Sequence, residues 1–314
     1  MSVFNIHHVT KYEYDRPVKE SVNEIKIYPF NSPLQHVLYH EINISGSPEV
    51  MIANDYWGNR SGMFNLMPSH TELVIESKLA VRHRLPEQDV KNFCGSFDQL
   101  HDEVKKDFWL LELSGSEKNH LQDEINMISE EVKISQTVMQ VVENCSHFIF
   151  KNFQYVKGIT TIESTVEEIL DHRSGVCQDF AHVMLEVLRH LQIPGRYVSG
   201  YICPNKDGMR GEGATHAWVE AWIPSYGWAG IDPTNDVWVT NRHVKLAVGR
   251  NFNDCSPVKG TFKGPARQSL SVYVSVGYED GHTFEEISKV KMKKQGEETE
   301  DTEISEILAG QQQQ

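Results

Sequence analysis

Apolar and polar positions alternate in short runs through the first quarter of the chain, and the period then lengthens. Between about Val3 and Arg84, runs such as EIKIYPF, VLYHEINI and LVIESKLAVRHRL are rich in β-branched and aromatic residues, with Asn31-Ser32-Pro33, Gly46-Ser47-Pro48 and Trp57-Gly58-Asn59 between them. That pattern predicts short strands joined by turns, a small β-sandwich. From about Glu87 to Glu131 the pattern is helical but irregular, with Phe108, Trp109, Leu110 and Leu111 crowded together, and predicts a helical connector. From Ile134 the apolar positions Ile134, Val138, Val141, Val142, Cys145, Phe148 and Ile149 fall on one helical stripe, which makes Cys145 a core thiol.

Ser164-Thr165-Val166-Glu167 reads as a capping box opening a short helix that ends near His172. The next helix carries Phe180, Val183, Met184, Val187, Leu188 and Leu191 on one face, and Pro194-Gly195 closes it. RYVSGYI reads as a strand, Pro204 to Gly213 as a Gly-rich loop, and THAWVEAWI as a strict alternation that puts His216, Trp218, Glu220 and Trp222 on one face. A turn at Pro224 to Gly227 leads into WAGID, and SLSVYVSV adds a later strand. The stretch from Lys293 onward is charged, then glutamine-rich, and predicts disorder. No internal repeat marks a solenoid.

The 314 residues, 39% hydrophobic and 10% aromatic, are enough for one large or two ordinary domains. A formal charge of −14 without a Lys/Arg cluster argues against a nucleic-acid surface. The first residues lack a signal-peptide pattern and no run of about 18 apolar residues occurs, so neither secretion nor a membrane span is expected. Cys94, Cys145, Cys177, Cys203 and Cys255 are scattered and never form C-x-x-C, unlike a disulfide framework or a zinc site. Reduced thiols in a cytoplasm are the expectation.

One of these thiols has a chemical setting. Cys177 stands at the first turn of the Phe180 to Leu191 helix, where unpaired N–H groups and the helix dipole favour an anion, and a thiolate is that anion. His216 lies downstream on THAWVEAWI and Asp232 in GIDPTND, with the turn midway between them, so a hairpin would bring base and carboxylate roughly abreast. A Cys–His pair with a carboxylate orienting the imidazole is what nucleophilic catalysis requires. Taken singly, each feature has a blander reading: a free Cys is more often a small buried hydrophobe, and a strand His near an Asp a surface pair.

The blocks Gly175-Val176-Cys177-Gln178-Asp179-Phe180-Ala181-His182, Ile193-Pro194-Gly195-Arg196-Tyr197-Val198-Ser199-Gly200-Tyr201, Thr215-His216-Ala217-Trp218-Val219-Glu220, Gly227-Trp228 and Ile231-Asp232-Pro233-Thr234-Asn235 together resemble the bacterial transglutaminase-like cysteine peptidase family. The resemblance extends to Tyr12-Glu13-Tyr14-Asp15-Arg16-Pro17-Val18, Asp55-Tyr56-Trp57-Gly58-Asn59, Val248-Gly249-Arg250-Asn251-Phe252 and Pro257-Val258-Lys259-Gly260. It departs at Gly195-Arg196, where Ala-Arg is commoner, and at Gly213-Ala214-Thr215-His216, where Asp-Ala-Ser-His is more usual.

The resemblance implies an α+β protein, a papain-like (transglutaminase-like) cysteine-enzyme core with an N-terminal β-sandwich. It divides as 1–90 sandwich, 91–133 connector, 134–290 catalytic core with C-terminal strands, and 291–314 tail. It implies Cys177 as nucleophile, His216 as base and acid, and Asp232 as orienter, in an enzyme that attacks amide bonds of peptides or proteins through an acyl-thioester. Hydrolysis is the first expectation, with a protein-glutamine transamidase or a non-catalytic binding scaffold as alternatives. No cofactor and no metal are expected, the latter because no acidic cluster resembles a calcium loop. Gln178 and Asp179 could serve an oxyanion site or cap the helix, His182 reads as structural, and the tryptophans as packing or rim residues.

Overall fold

The computed structural model of the protein describes residues 2–84, 89–93, 95–115, 122–134, 137–161, 164–203, 209–210, 215–278, 283–291 and 304–308. Its N-terminal part is organised by one strand, β1 (Ser2–Ile25), followed by β2 (Gln35–Ile44), β3 (Met51–Asn54), β4 (Arg60–Leu66) and β5 (His70–His83). The first half of β1 pairs antiparallel with β5 and its second half with β4. Register shifts between Glu13 and Val18, around Pro17, and between Lys19 and Ser21, with Glu20 at φ 49°, bend β1 so that it serves two sheets. One long bent strand thus runs from Ser2 to Ile25, while VLYHEINI falls in β2 and most of LVIESKLAVRHRL in β5, strands as expected. Within EIKIYPF only the start is strand. Beyond Ile25 the chain leaves the ladder, and the N–H groups of Lys26 and Phe30 bond to the carbonyls of Pro257 and Lys245.

The connector holds α1 (Phe97–Val104), opened by a Ser96/Gln99 capping box, then α2 (Phe108–Ser114), capped by Asp107, and α3 (Gln122–Val132). The apolar stripe forms α4 (Val138–Asn152), whose start is set by the Thr137 cap, so that Ile134 stays outside and exposed. After β6 (Gln154–Tyr155) comes α5 (Val166–His172), where Thr165 and Glu168 make the capping box. The box sits one residue later than predicted because the Ser164 hydroxyl accepts the N–H of Thr161 instead. β7 (Ser174–Gly175) runs parallel to β6 and leads into α6 (Cys177–His190).

β8 (Gly195–Ile202), β9 (Thr215–Ile223), β10 (Gly227–Asp232), β11 (Val237–Trp238) and β12 (His243–Gly249) form an antiparallel sheet in the order β11-β10-β9-β8-β12. Ala217, Val219, Ala221 and Ile223 of β9 join the core built on α4 and α6, which leaves His216, Trp218 and Glu220 on the opposite face, as the alternation predicts. Most of the loop expected between β8 and β9 lies outside the described residues. At the β8–β9 pair Gly200↔His216, a Cβ on Gly200 would collide with the Val244 carbonyl oxygen and lie 2.6 Å from the Trp218 ring. Gly200→Ala is therefore expected to lower stability by about 2 kcal/mol or more. An unchanged urea midpoint would refute this.

After α7 (Phe252–Cys255) the chain forms β13 (Val258–Lys263), β14 (Gln268–Tyr278), β15 (Thr283–Lys291) and β16 (Ile304–Leu308). β13 and β14 pair with the free side of β1, β15 with β14, and β16 with β13. Grouped with the catalytic core on sequence, these strands return instead to the N-terminal sheets. There Leu270, Val272, Val274 and Val276 pack with Phe4, Ile6 and Tyr12. β4 and β5 occupy one side of β1, and its unpaired backbone groups on the other side need partners that only the distant strands supply. Within the tail expected to be disordered, 304–308 is strand on the β13 ladder. Residues 292–303 and 309–314 lie outside the described residues.

Candidate active site

Cys177 is the first residue of α6 and is fully buried. The approach to it is tight: a Cβ on Gly175 would collide with the Asp179 carboxylate. Asp179 caps the helix, its Oδ2 accepting the Val176 N–H at 2.7 Å and the Thr160 hydroxyl at 2.6 Å. Burial raises the Asp179 carboxyl to about 6 against the opposing effect of these bonds. Of the two roles open to Asp179 on sequence, its bonds are those of the cap. Gln178 is buried, and its Oε1 has no hydrogen-bond partner among the described residues. His182 accepts the N–H of Phe252 and packs on Tyr197, a structural position.

His216 and Asp232 are also fully buried, and the His216 Nε2–H donates to Asp232 Oδ2 at 2.8 Å. The β9–β10 register ends at Val219↔Ile231, so His216 and Asp232 meet diagonally rather than directly opposite. The Cys177 sulfur lies beside the same ring and acts on its proton affinity. Burial pushes the imidazole down, but the Asp232 charge and the nearby sulfur outweigh it and raise His216 to about 10. Burial works against the Asp232 charge too, yet His216 and further donors hold the carboxyl well below the usual range. The three residues singled out on sequence thus come together, with a protonated imidazole next to a sulfur and a carboxylate.

Asp232 has more partners than the sequence revealed. Its Oδ2 also accepts from Asn235 Nδ2 at 2.7 Å and His243 Nε2 at 3.2 Å, and its Oδ1 accepts the Thr234 N–H at 2.9 Å. Thr234 and Asn235 stand in the recognised Asp-Pro-Thr-Asn block. His243, from the start of β12, carried no local signal. His216, Asp232 and His243 have the donor types of a metal site, but their facing atoms stand at hydrogen-bonding distance around one oxygen. Trp218 stacks near His216 at 6.3 Å between ring centroids and meets His243 edge-on at 5.2 Å.

Further along this face Glu220 is held by Arg196, at 2.6 Å, and by Lys245. Burial raises the Glu220 carboxyl, but the two cations outweigh it and bring it down to about 2. A cavity of about 420 Å³ lies between this face and the N-terminal part, with Phe30, Leu34, Trp218, Trp228, His243 and Lys245 among its walls. Cys145, Cys203 and Cys255 are buried, and burial pushes each thiol up. Cys94 lies outside the described residues. No described helix is long and apolar enough to cross a membrane.

A helix-start thiol, an imidazole on a neighbouring strand and a carboxylate behind it, on a mixed α+β core, make the papain-like thiol arrangement. Residues 126–233 match the family model of the transglutaminase-like superfamily, and residues 4–82 that of the bacterial transglutaminase-like N-terminal region. An uncharacterised protein of Mycobacterium leprae is 31% identical over 272 residues, covering 86% of this chain and 96% of its own. A protein-glutamine gamma-glutamyltransferase of Pseudomonas aeruginosa is 40% identical over 74 residues, 22% of this chain and 11% of its own. A solved structure of a presumed cysteine protease from Cytophaga hutchinsonii superposes with a TM-score of 0.70 at 19% identity, covering 95% of this chain and 94% of that one, which shows the same fold. The chain belongs to the transglutaminase-like superfamily and carries the bacterial transglutaminase-like N-terminal region.

Proposed function

We propose that the protein is a thiol-dependent acyl-transfer enzyme in which Cys177, His216 and Asp232 act as a triad on amide bonds of peptides or proteins. The observation that carries this reading is the buried His216, hydrogen-bonded to Asp232 at one ring nitrogen and close enough to the helix-start thiol for the sulfur to raise its proton affinity. The Cys177 sulfur attacks the carbonyl carbon, forming a C–S bond, while His216 gives its proton to the leaving amine as the C–N bond breaks. Asp232 holds the ring and balances the imidazolium charge. Water, losing a proton to His216, then releases the acid from the thioester. An amine attacking in its place completes a transamidation.

Hydrolysis is the first reading because no site dedicated to an amine marks the sequence, and transamidation is the alternative, supported by the short match to the Pseudomonas enzyme. The chemistry is tested by intact-mass labelling with iodoacetamide near neutral pH, wild type against Cys177→Ala, followed by a screen for hydrolysis against amine incorporation. Labelling is expected at Cys177 first. Faster reaction of Cys94 or Cys255 in the folded protein would overturn the assignment.

A further inference from the structure

We infer that His243 is a positioning residue of the proposed triad: a neutral imidazole that fixes Asp232, and through it the His216 ring, by donating to the oxygen that His216 also uses. This rests on the functional reading above. Three donors converge on Asp232 Oδ2, from His216, Asn235 and His243, while Oδ1 takes the Thr234 N–H. Asn235 and Thr234 follow Asp232 in the chain and would travel with it if the loop shifted. His243 comes from the far side of the sheet, where β12 pairs with β8, so among these later donors it is the one that ties Asp232 to an element outside its own hairpin.

The tautomer of His243 follows from its neighbours. The Thr240 N–H points at Nδ1 at 3.4 Å, which makes Nδ1 the acceptor and leaves the proton on Nε2, the atom facing Asp232. The ring is buried, and burial lowers its proton affinity, with the neighbouring His216 adding to that against the pull of Asp232. Trp218 packs edge-on against the ring from β9. A neutral donor here has a specific use. A second imidazolium would compete with His216 for the carboxylate charge, whereas a neutral N–H restrains the carboxylate and leaves that charge to His216.

The test compares wild type with His243→Gln, whose amide can still donate toward Asp232, and His243→Leu, which cannot. Three quantities are measured on the full chain: the second-order rate of Cys177 alkylation by iodoacetamide against pH, the downfield proton resonance of the His216–Asp232 hydrogen bond, and Tm. His243→Leu should slow alkylation roughly 10–100-fold and broaden or shift the resonance, and His243→Gln should restore the rate to within roughly fivefold of wild type. If both variants keep the wild-type rate and resonance, His243 does not position the triad. If both lose rate only in proportion to lost Tm, its role is packing. Should wild type itself not label at Cys177, the functional reading fails first, so the two failures are distinguishable.

Discussion

Asp232→Asn is expected to slow acylation of Cys177 by roughly 10–10³-fold while leaving the fold intact, and His216→Ala to cost more. The amide is isosteric with the carboxylate and can still bond to Thr234 N–H, so the loop should hold. What changes is the ring. The substituted side chain would face His216 with a dipole in place of the charge that raises the imidazole to about 10, so at neutral pH the ring loses the proton it must hand to the leaving amine. The serine-protease example of this substitution loses about 10⁴ in kcat, and a thiol, being intrinsically the better nucleophile, should depend less on the carboxylate. Single-turnover acylation of the variants on a substrate from the screen is the measurement. Equal rates for wild type and Asp232→Asn would reduce the triad to a dyad.

Glu220→Ala should destabilise the protein by about 3 kcal/mol at neutral pH, lowering Tm by roughly 6–12 °C. The loss comes from what stays behind: Arg196 and Lys245, both largely buried, would face each other without the carboxylate that joins them. The pH dependence has a definite sign. The folded Glu220 carboxyl sits at about 2 against an ordinary 4.5, so its stabilisation is fully present above about 4.5 and is lost as pH falls from there through 2. The Tm gap between wild type and variant should therefore be widest near neutrality and close on acidification. Calorimetry showing equal Tm at pH 7 would mean that the two cations find compensation elsewhere.

Legibility from sequence follows the range of the interactions involved. Strict alternation along THAWVEAWI settles which residues share a face with His216, because a strand has a period of two whatever surrounds it. The helical stripe from Val138 to Ile149 and the placement of Cys177 ahead of Phe180 are local in the same sense, since backbone geometry and end effects act within one or two turns. The meeting of His216 with Asp232 was half legible. A hairpin centred on the Pro224 to Gly227 turn implies proximity, but only the register makes the contact diagonal.

What tertiary structure alone decided concerns residues far apart in the chain. β1 reads locally as an ordinary alternating segment, and nothing nearby marks it as the strand on which β4, β5, β13 and β14 converge. That role depends on which distant edges satisfy its backbone groups. His243 was silent for the same reason: it stands on β12 beside no motif of its own and reaches Asp232 only because the sheet brings the start of β12 to the end of β10. Periodicity within the chain therefore determined the faces and the helix starts, and the local motifs singled out the thiol, imidazole and carboxylate. Long-range strand pairing, whose partners are chosen by global packing and not by neighbouring residues, decided how the C-terminal strands close the sandwich and which second histidine stands behind the carboxylate.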